Sequence, residues 1–155
     1  MGKNKNWGDH AGYYYKPWGY YTDLFRTDYA VFKQIVVNPH SQLSLQKHDQ
    51  RGEFWYVAEG KGFMVYGDVE HKIKEGFTIE IQSGVVHCLA NDSDEPLIVF
   101  EMQYGYCSED DIVRLDDKYG RGDESDLGMG VNGMVCPVKI CDNLPEGKNN
   151  AKDKN

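Results

Sequence analysis

Three side chains at short spacing, Gln46, His48 and Glu53, could hold a metal ion together with a second histidine further along the chain, His87. Residues i and i+2 of a β-strand share a face, so Gln46 and His48 project together, and Glu53 can return to that face from the next antiparallel strand. Two imidazole nitrogens and one carboxylate suit Zn, Mn, Fe, Co or Ni, and the amide oxygen of Gln46 supplies a fourth donor. Ligands carried on strands leave coordination positions open for substrate oxygens. The pattern predicts one divalent transition metal in a catalytic site.

The elements that position these residues are predicted to be short antiparallel strands. Between residues 29 and 104, β-branched and aromatic segments alternate with turn signals roughly every 8–12 residues, which gives about eight strands. Such spacing is typical of an antiparallel sandwich or barrel. The predicted fold class is therefore all-β.

One short helix is predicted at the end of the patterned region. Ser108 precedes three acidic residues, a sequence that can form a capping box. Ile112, Leu115 and Tyr119 then fall on one helical face. Gly120 provides the stop signal. An all-β body with one short C-terminal helix is expected.

The chain has 155 residues, a length near that of one domain, and three compositional zones. Residues 1–12 are predicted to be a flexible N-terminus, residues 13–121 carry the patterned apolar sequence, and residues 122–155 form a polar extension whose end is expected to be disordered. The formal charge of −8, without a basic run, disfavours nucleic acid and anionic membranes as partners. The absence of a secretory signal or apolar span, and cysteines interpreted as free thiols, predict a cytoplasmic protein.

The spacing of the metal-site residues resembles the two sequence motifs of cupins. The matching residues are His40, Gln46, His48, Glu53 and Gly60 in the first motif and Gly76, Gly84, His87 and Asn91 in the second. Three positions depart from the usual residues of these motifs. His40 occupies the position of a glycine, Gln46 that of the first histidine and Gln82 that of a proline. The resemblance implies the cupin double-stranded β-helix, a jelly-roll barrel. A cupin with a vestigial metal site is the alternative.

Longer strings carry a narrower resemblance, and they lie at residues 16–19, 43–48, 51–55, 96–97, 101–103, 109–114 and 117–121. Together they resemble the cupin domain of type II mannose-6-phosphate isomerases, a domain often fused behind a GDP-mannose pyrophosphorylase. Gln46 in place of the first histidine is also that family's habit. The resemblance implies a metal-dependent isomerase that converts mannose 6-phosphate to fructose 6-phosphate through an enediol.

Such an isomerisation needs a Lewis acid for the oxygens and a base for the proton on carbon. Glu101 is predicted to be that base, because burial in a barrel would raise the pKa of its carboxyl group. A structural partnership with Lys33 or Arg51 is the alternative. Gln103 lies two residues further along the same strand, so both side chains can face one cavity.

The phosphate of the substrate needs an anchor, for which a planar guanidinium is suited. Arg121, at the end of the last string, is the predicted anchor, and Arg51 and Lys33 are second choices. Surface ion pairs are the alternative for both arginines. Trp55 shares the strand phase of Glu53 and is expected either to line the pocket or to pack in the core.

Other functions stay open at this point. A cupin dioxygenase would use the same ligands on Fe(II), and a regulatory or carbohydrate-binding cupin would catalyse no reaction. The expected partner is a small-molecule sugar phosphate, drawn by the metal and a few local cations against the net charge. A homodimer is also expected, since acidic β-sandwiches with exposed edge strands often pair.

Overall fold

The computed structural model of the protein describes residues 12–116, which form twelve β-strands and no helix. The predicted all-β class is confirmed. In chain order the strands are β1 (Tyr13–Lys16), β2 (Gly19–Arg26), β3 (Ala30–Val37), β4 (Ser41–Gln42), β5 (Leu45–Lys47), β6 (Arg51–Glu59), β7 (Lys61–Tyr66), β8 (Val69–Lys74), β9 (Thr78–Ile81), β10 (His87–Asn91), β11 (Leu97–Gly105) and β12 (Val113–Asp116). Residues 12–116 contain no helix that could span a membrane. The predicted N-terminal segment, except residue 12, and the predicted extension 122–155 lie outside the described residues.

Two antiparallel sheets enclose the core. One sheet has the strand order β1-β2-β3-β11-β6-β9, and the other has the order β12-β5-β10-β7-β8 with β4 also paired to β10. From β8 onward the chain changes sheet after every strand, which produces the jelly-roll winding and confirms the predicted double-stranded β-helix. Apolar side chains from both inner faces pack together at the centre, among them Ile35, Val37, Trp55, Val57, Met64, Leu89, Leu97 and Val99.

Two turns beside the barrel require an unusual backbone conformation. His40, which stands where the cupin motif has glycine, has a φ of 54°, in the left-handed region that glycine favours. Its Nε2 lies 2.6 Å from Oδ1 of Asp94. Gly60 has a φ of 85°, and a Cβ atom there would lie 2.4 Å from the carbonyl oxygen of Pro96. A side chain is therefore tolerated at the first turn and excluded from the second.

The prediction of a C-terminal helix is wrong for residues 108–116, the part of this segment that the structure describes. A turn, in which the N–H of Asp111 donates to the carbonyl of Ser108, leads into strand β12, which pairs with β5. The Asp111 carboxylate accepts hydrogen bonds from the backbone N–H groups of Asp49 and Gln50, at 2.9 Å each. This acidic side chain thus caps a neighbouring loop, and long-range strand pairing outweighs the local helical pattern.

Asn91, at the end of β10, closes one end of the barrel from a fully buried position. Its Nδ2 donates to the carbonyl oxygens of Val37, Asn38 and Glu95 at 3.0, 3.2 and 2.8 Å. Its Oδ1 accepts hydrogen bonds from the N–H and the hydroxyl of Ser93, at 3.0 and 2.8 Å. One amide therefore joins the end of β3 to the two loops that contain Asn38 and residues 93–95.

Replacement of this amide should destabilise the whole barrel. Asn91→Ala removes these hydrogen bonds, including the one to the carbonyl of the buried Val37, and we expect the free energy of unfolding to fall by about 2–4 kcal/mol. Urea denaturation followed by tryptophan fluorescence measures the change. The control is Asp92→Ala at the exposed neighbouring position, which should change the free energy of unfolding by less than about 0.5 kcal/mol. Equal effects of the two substitutions would contradict this role of Asn91.

Candidate metal centre

Three of the predicted metal ligands converge inside the barrel. His48 follows β5, Glu53 lies on β6, and His87 begins β10, so both sheets contribute. One ligand atom from each residue lies within 4.8 Å of the others. Nε2 of His48 is 3.0 Å from Oε1 of Glu53, and Nε2 of His87 is 3.3 Å from Oε2. Since bonds from zinc to nitrogen and oxygen are about 2 Å long, these separations suit ligands of one ion.

Main-chain carbonyls orient both imidazoles. Nδ1–H of His48 donates to the carbonyl oxygen of Asp111 at 2.6 Å, and Nδ1–H of His87 donates to that of Val85 at 2.9 Å. A histidine that donates through Nδ1 carries its lone pair on Nε2, the atom that both rings direct toward Glu53. Nε2 of His87 is buried and has no hydrogen-bond partner among the described residues. A lone pair of this kind fits a metal ion, as does the whole donor set.

The carboxylate of Glu53 is the negative centre of this group. It is fully buried, and Nε and Nη2 of Arg51 each lie 3.3 Å from its Oε1. Although burial raises it, the neighbouring imidazoles of His48 and His87 hold the pKa of Glu53 well below its usual value. Burial lowers the pKa of His87, but the nearby Glu53 carboxylate raises it, and the net pKa lies above its usual value. A metal ion would thus take the place of a proton on the His87 imidazole, which already faces an anion.

Gln46, the fourth predicted ligand, lies on β5 and lines a cavity that Glu53 also lines. It pairs with His87 across the sheet, which sets the two side chains on neighbouring strands. Its Oε1 accepts a hydrogen bond from Oγ of Ser44 at 2.8 Å. An amide oxygen has a second lone pair, so this bond does not use up its capacity to bind a metal. A ligand role for Gln46 stays a prediction.

A second buried carboxylate, Glu101, lies beside Glu53. The indole Nε1–H of Trp55 lies between them, 3.1 Å from Oε2 of Glu53 and 2.9 Å from Oε2 of Glu101. Nε2 of Gln103 donates to the other Glu101 oxygen at 2.6 Å. Burial and the negative charge of Glu53 together raise the pKa of Glu101. Trp55 thus bridges two acids, and no Lys or Arg nitrogen in residues 12–116 forms an ion pair with Glu101.

Glu53 and Gln46 line a cavity of about 100 Å³, and its walls also carry four cations, Lys16, Lys33, Arg51 and Arg114. Among the predicted site residues, its lining includes Lys33, Arg51, Glu101 and Gln103 in addition to Gln46 and Glu53. Trp55 is buried behind this wall. Arg121, the predicted phosphate anchor, lies outside the described residues. The catalytic and substrate-binding roles assigned to all these residues stay predictions.

Among the lining residues that were not predicted, four carry charged or phenolic side chains: Lys16, Tyr21, Glu109 and Arg114. Three of them lie in the strings at residues 16–19 and 109–114, which could have indicated them. Arg114 pairs with Gln46 in strand β12, and its position in the cavity was hidden by the interpretation of this segment as a helix.

Glu109 belongs to a charged cluster at the cavity wall. Its Oε1 accepts hydrogen bonds from Nζ of Lys33 at 3.0 Å and from Nη2 of Arg26 at 2.5 Å. Nε of Arg26 also donates to Asp23 at 2.8 Å. Although burial raises it, the charge of Lys33 and the hydrogen bonds from both cations lower the pKa of Glu109 to about 2. Glu109 is therefore an anion at neutral pH.

Comparison with known proteins identifies a domain family and several relatives. The family described as "Mannose-6-phosphate isomerase C-terminal" matches residues 3–117. The xanthan biosynthesis protein XanB of Xanthomonas campestris is 41% identical over 108 residues, 69% of this chain and 23% of the relative. The mannose-1-phosphate guanylyltransferase ManC of Salmonella typhimurium is 37% identical, over 69% of this chain and 22% of the relative. The chain thus spans about a quarter of the length of these curated relatives.

Solved structures share the fold at low sequence identity. The capsular polysaccharide assembling protein CapF of Staphylococcus aureus superposes with a TM-score of 0.61 and 16% identity, over 68% of this chain and 34% of CapF. A cupin-2 domain from Rhodospirillum rubrum gives a TM-score of 0.51 and 18% identity, over 59% of this chain and 67% of that domain. These likenesses support the cupin architecture alone.

The relatives correct the predicted function. Sequence analysis predicted a mannose-6-phosphate isomerase, whereas the matched relatives are named as mannose-1-phosphate guanylyltransferases and as xanthan and alginate biosynthesis proteins. A match to one domain is not proof of isomerase activity, because the same domain occurs in proteins named for another reaction. The isomerase prediction is therefore wrong as a statement of function.

The metal site can be tested through its carboxylate. Glu53→Gln removes the charge between the two imidazoles, and we expect the dissociation constant for Zn²⁺ to rise by more than about a hundredfold. Competition with a chromogenic chelator measures it. Glu59→Gln, an equal change at an exposed position of the same strand, is the control and should bind zinc as the unchanged protein does. Equal zinc affinity in both variants would rule out Glu53 as a ligand.

Proposed function

Because this chain belongs to the mannose-6-phosphate isomerase C-terminal family, we propose that it binds a divalent metal and a mannose phosphate in the metabolism that mannose-1-phosphate guanylyltransferases serve. The observation that carries the proposal is one cavity that is lined both by Glu53, the carboxylate of the candidate metal site, and by four cations. The relatives contribute the identity of the sugar, since their names refer to mannose 1-phosphate and to polysaccharide synthesis.

The charge of the cavity favours an anionic ligand. The chain as a whole carries −8, yet Lys16, Lys33, Arg51 and Arg114 all line this one cavity. Lysine and arginine donors bind phosphate oxygens with charge-assisted hydrogen bonds, which are strong in a site of low dielectric constant. A phosphorylated ligand therefore fits the cavity better than a neutral sugar.

The cavity also has a vacant acceptor for a sugar hydroxyl. Oε1 of Gln103 is buried and has no hydrogen-bond partner among residues 12–116. An unpaired buried acceptor costs about 1–3 kcal/mol, which a donor from the ligand would recover. Nε2 of the same amide is held by Glu101 at 2.6 Å, so its oxygen is fixed in orientation. Gln103 is thus suited to distinguish a hydroxyl-bearing ligand from phosphate alone.

A metal bound by His48, Glu53 and His87 would supply a Lewis acid for oxygens of the ligand. Arg51, which lines the same cavity, holds the charge of the Glu53 carboxylate in place. Arg51 stays close to the carboxylate of Glu53 through its Nε and Nη2, and its Nη1 donates to the carbonyl of Ser108 at 2.9 Å. Its guanidinium therefore stabilises the metal-site anion and anchors the segment that covers the cavity.

Binding of mannose 1-phosphate to the metal-loaded full chain tests the proposal. We expect Lys33→Met to weaken binding about tenfold or more, since it removes one charge-assisted hydrogen bond while leaving the metal ligands intact. Isothermal titration calorimetry measures the affinity, and elemental analysis checks the metal content. Lys72→Met, at an exposed position of β8, is the matched control and should bind normally.

The same titration with unphosphorylated mannose separates sugar recognition from phosphate recognition. Mannose should bind much more weakly than mannose 1-phosphate, because the cations of the cavity then gain no anionic oxygen from the ligand. The proposal is refuted if mannose 1-phosphate gives no binding heat, or if mannose and its phosphate bind with equal affinity.

A further inference from the structure

We propose that Lys33 and Arg26 form a subsite for the phosphate group of the ligand, and that the carboxylate of Glu109 occupies this subsite until the ligand displaces it. The inference rests on the proposed function in one respect, which is that the ligand of the cavity carries a phosphate. It adds the location of the phosphate and an internal competitor for it.

Hydrogen bonds within residues 12–116 do not use all the N–H donors of Lys33. Its ammonium lies in the cavity wall on β3, with a side chain that is 6% exposed. Its hydrogen bond within residues 12–116 goes to Oε1 of Glu109 at 3.0 Å, while Oδ1 of Asp23 is 4.0 Å away. The ring of Tyr21 lies 4.3 Å from Nζ and contributes a cation–π contact. An ammonium has three N–H donors, so this buried cation can donate hydrogen bonds to more than one anionic oxygen.

Arg26 completes the subsite from the neighbouring strand β2. Its Nη2 donates to the same Glu109 oxygen that Lys33 contacts. Its Nε donates to Oδ2 of Asp23 at 2.8 Å, which fixes the direction of the guanidinium. A single carboxylate oxygen therefore sits between an ammonium and a guanidinium, the environment that a phosphate oxygen takes in a phosphate-binding site.

Glu109 can leave without disturbing the metal centre. Its side chain is 51% exposed, whereas that of Lys33 is buried. The residues around it are fixed, since Ser108 is held through its carbonyl by Arg51 and Asp111 through its carbonyl by His48. Rotation of the Glu109 side chain alone is therefore enough to uncover Lys33.

The size of the cavity requires such a rearrangement. Its volume is about 100 Å³, and sites for small organic ligands have volumes of about 300 Å³ or more. Glu109 forms part of the wall, and of the residues in the charged cluster it has the most exposed side chain. Departure of this side chain would both widen the cavity and free Lys33 and Arg26, which links ligand entry to the loss of two internal ion pairs.

Titration of inorganic phosphate into the metal-free full chain tests the subsite without sugar or metal. We expect Glu109→Gln to bind phosphate about tenfold more tightly than the unchanged protein, because the competing anion is gone and the side chain keeps its size. Asp110→Asn removes the same charge from the adjacent exposed residue and should leave the affinity unchanged. Adding Lys33→Met to Glu109→Gln should abolish the gain.

The result that would overturn the inference is equal phosphate affinity in Glu109→Gln and the unchanged protein, or an equal gain in Asp110→Asn. If Glu109→Gln loses cooperative unfolding, Glu109→Ala makes the same comparison at this exposed position. A gain for phosphate without any binding of mannose 1-phosphate to the metal-loaded chain refutes the proposed function and leaves the subsite standing. Binding of mannose 1-phosphate that Glu109→Gln does not strengthen refutes the subsite alone.

Discussion

The carboxylate of Glu53, a negative charge in the interior of an apolar barrel, is the constraint on which the structure around the site depends. An unpaired charge at such a position would cost several kcal/mol, so the fold must supply partners for it. Two histidines, an arginine and an indole N–H surround it, from β6, β10 and the end of β5. The winding of the chain between the two sheets is what brings these partners together.

The same principle organises the rest of the cavity. Glu101 is paired in register with Lys33 on one side and Trp55 on the other, so the inner face of the sheet carries a polar row through an apolar core. Two buried polar atoms that have no hydrogen-bond partner within residues 12–116, Oε1 of Gln103 and Nε of Arg114, belong to residues that line the cavity. A ligand in the cavity could supply partners for them.

The alternation of side chains along β-strands was sufficient to predict much of the arrangement of the site. The two-residue spacing of Glu101 and Gln103 predicted that both would face one cavity, and they do. The spacing of His48 and Glu53 predicted that a strand and its antiparallel neighbour would bring them together, as the 3.0 Å separation shows. Strand β12 was not predicted, because its partner β5 is distant in sequence and its apolar spacing resembles that of a helix. The hairpin of β1 and β2 was also not predicted, although its two strands are adjacent in sequence.

The amino-acid sequence by itself determined the donor types, the all-β class and the positions on β5, β6 and β10 from which the candidate ligands project. These follow from side-chain chemistry and from the alternation of a strand, which are local properties. Only the tertiary structure decided that Glu109 lies on Lys33 and Arg26, and that Arg114 enters the cavity from a strand. Those contacts join residues far apart in the chain, and their stability depends on burial and on charges that no local pattern contains.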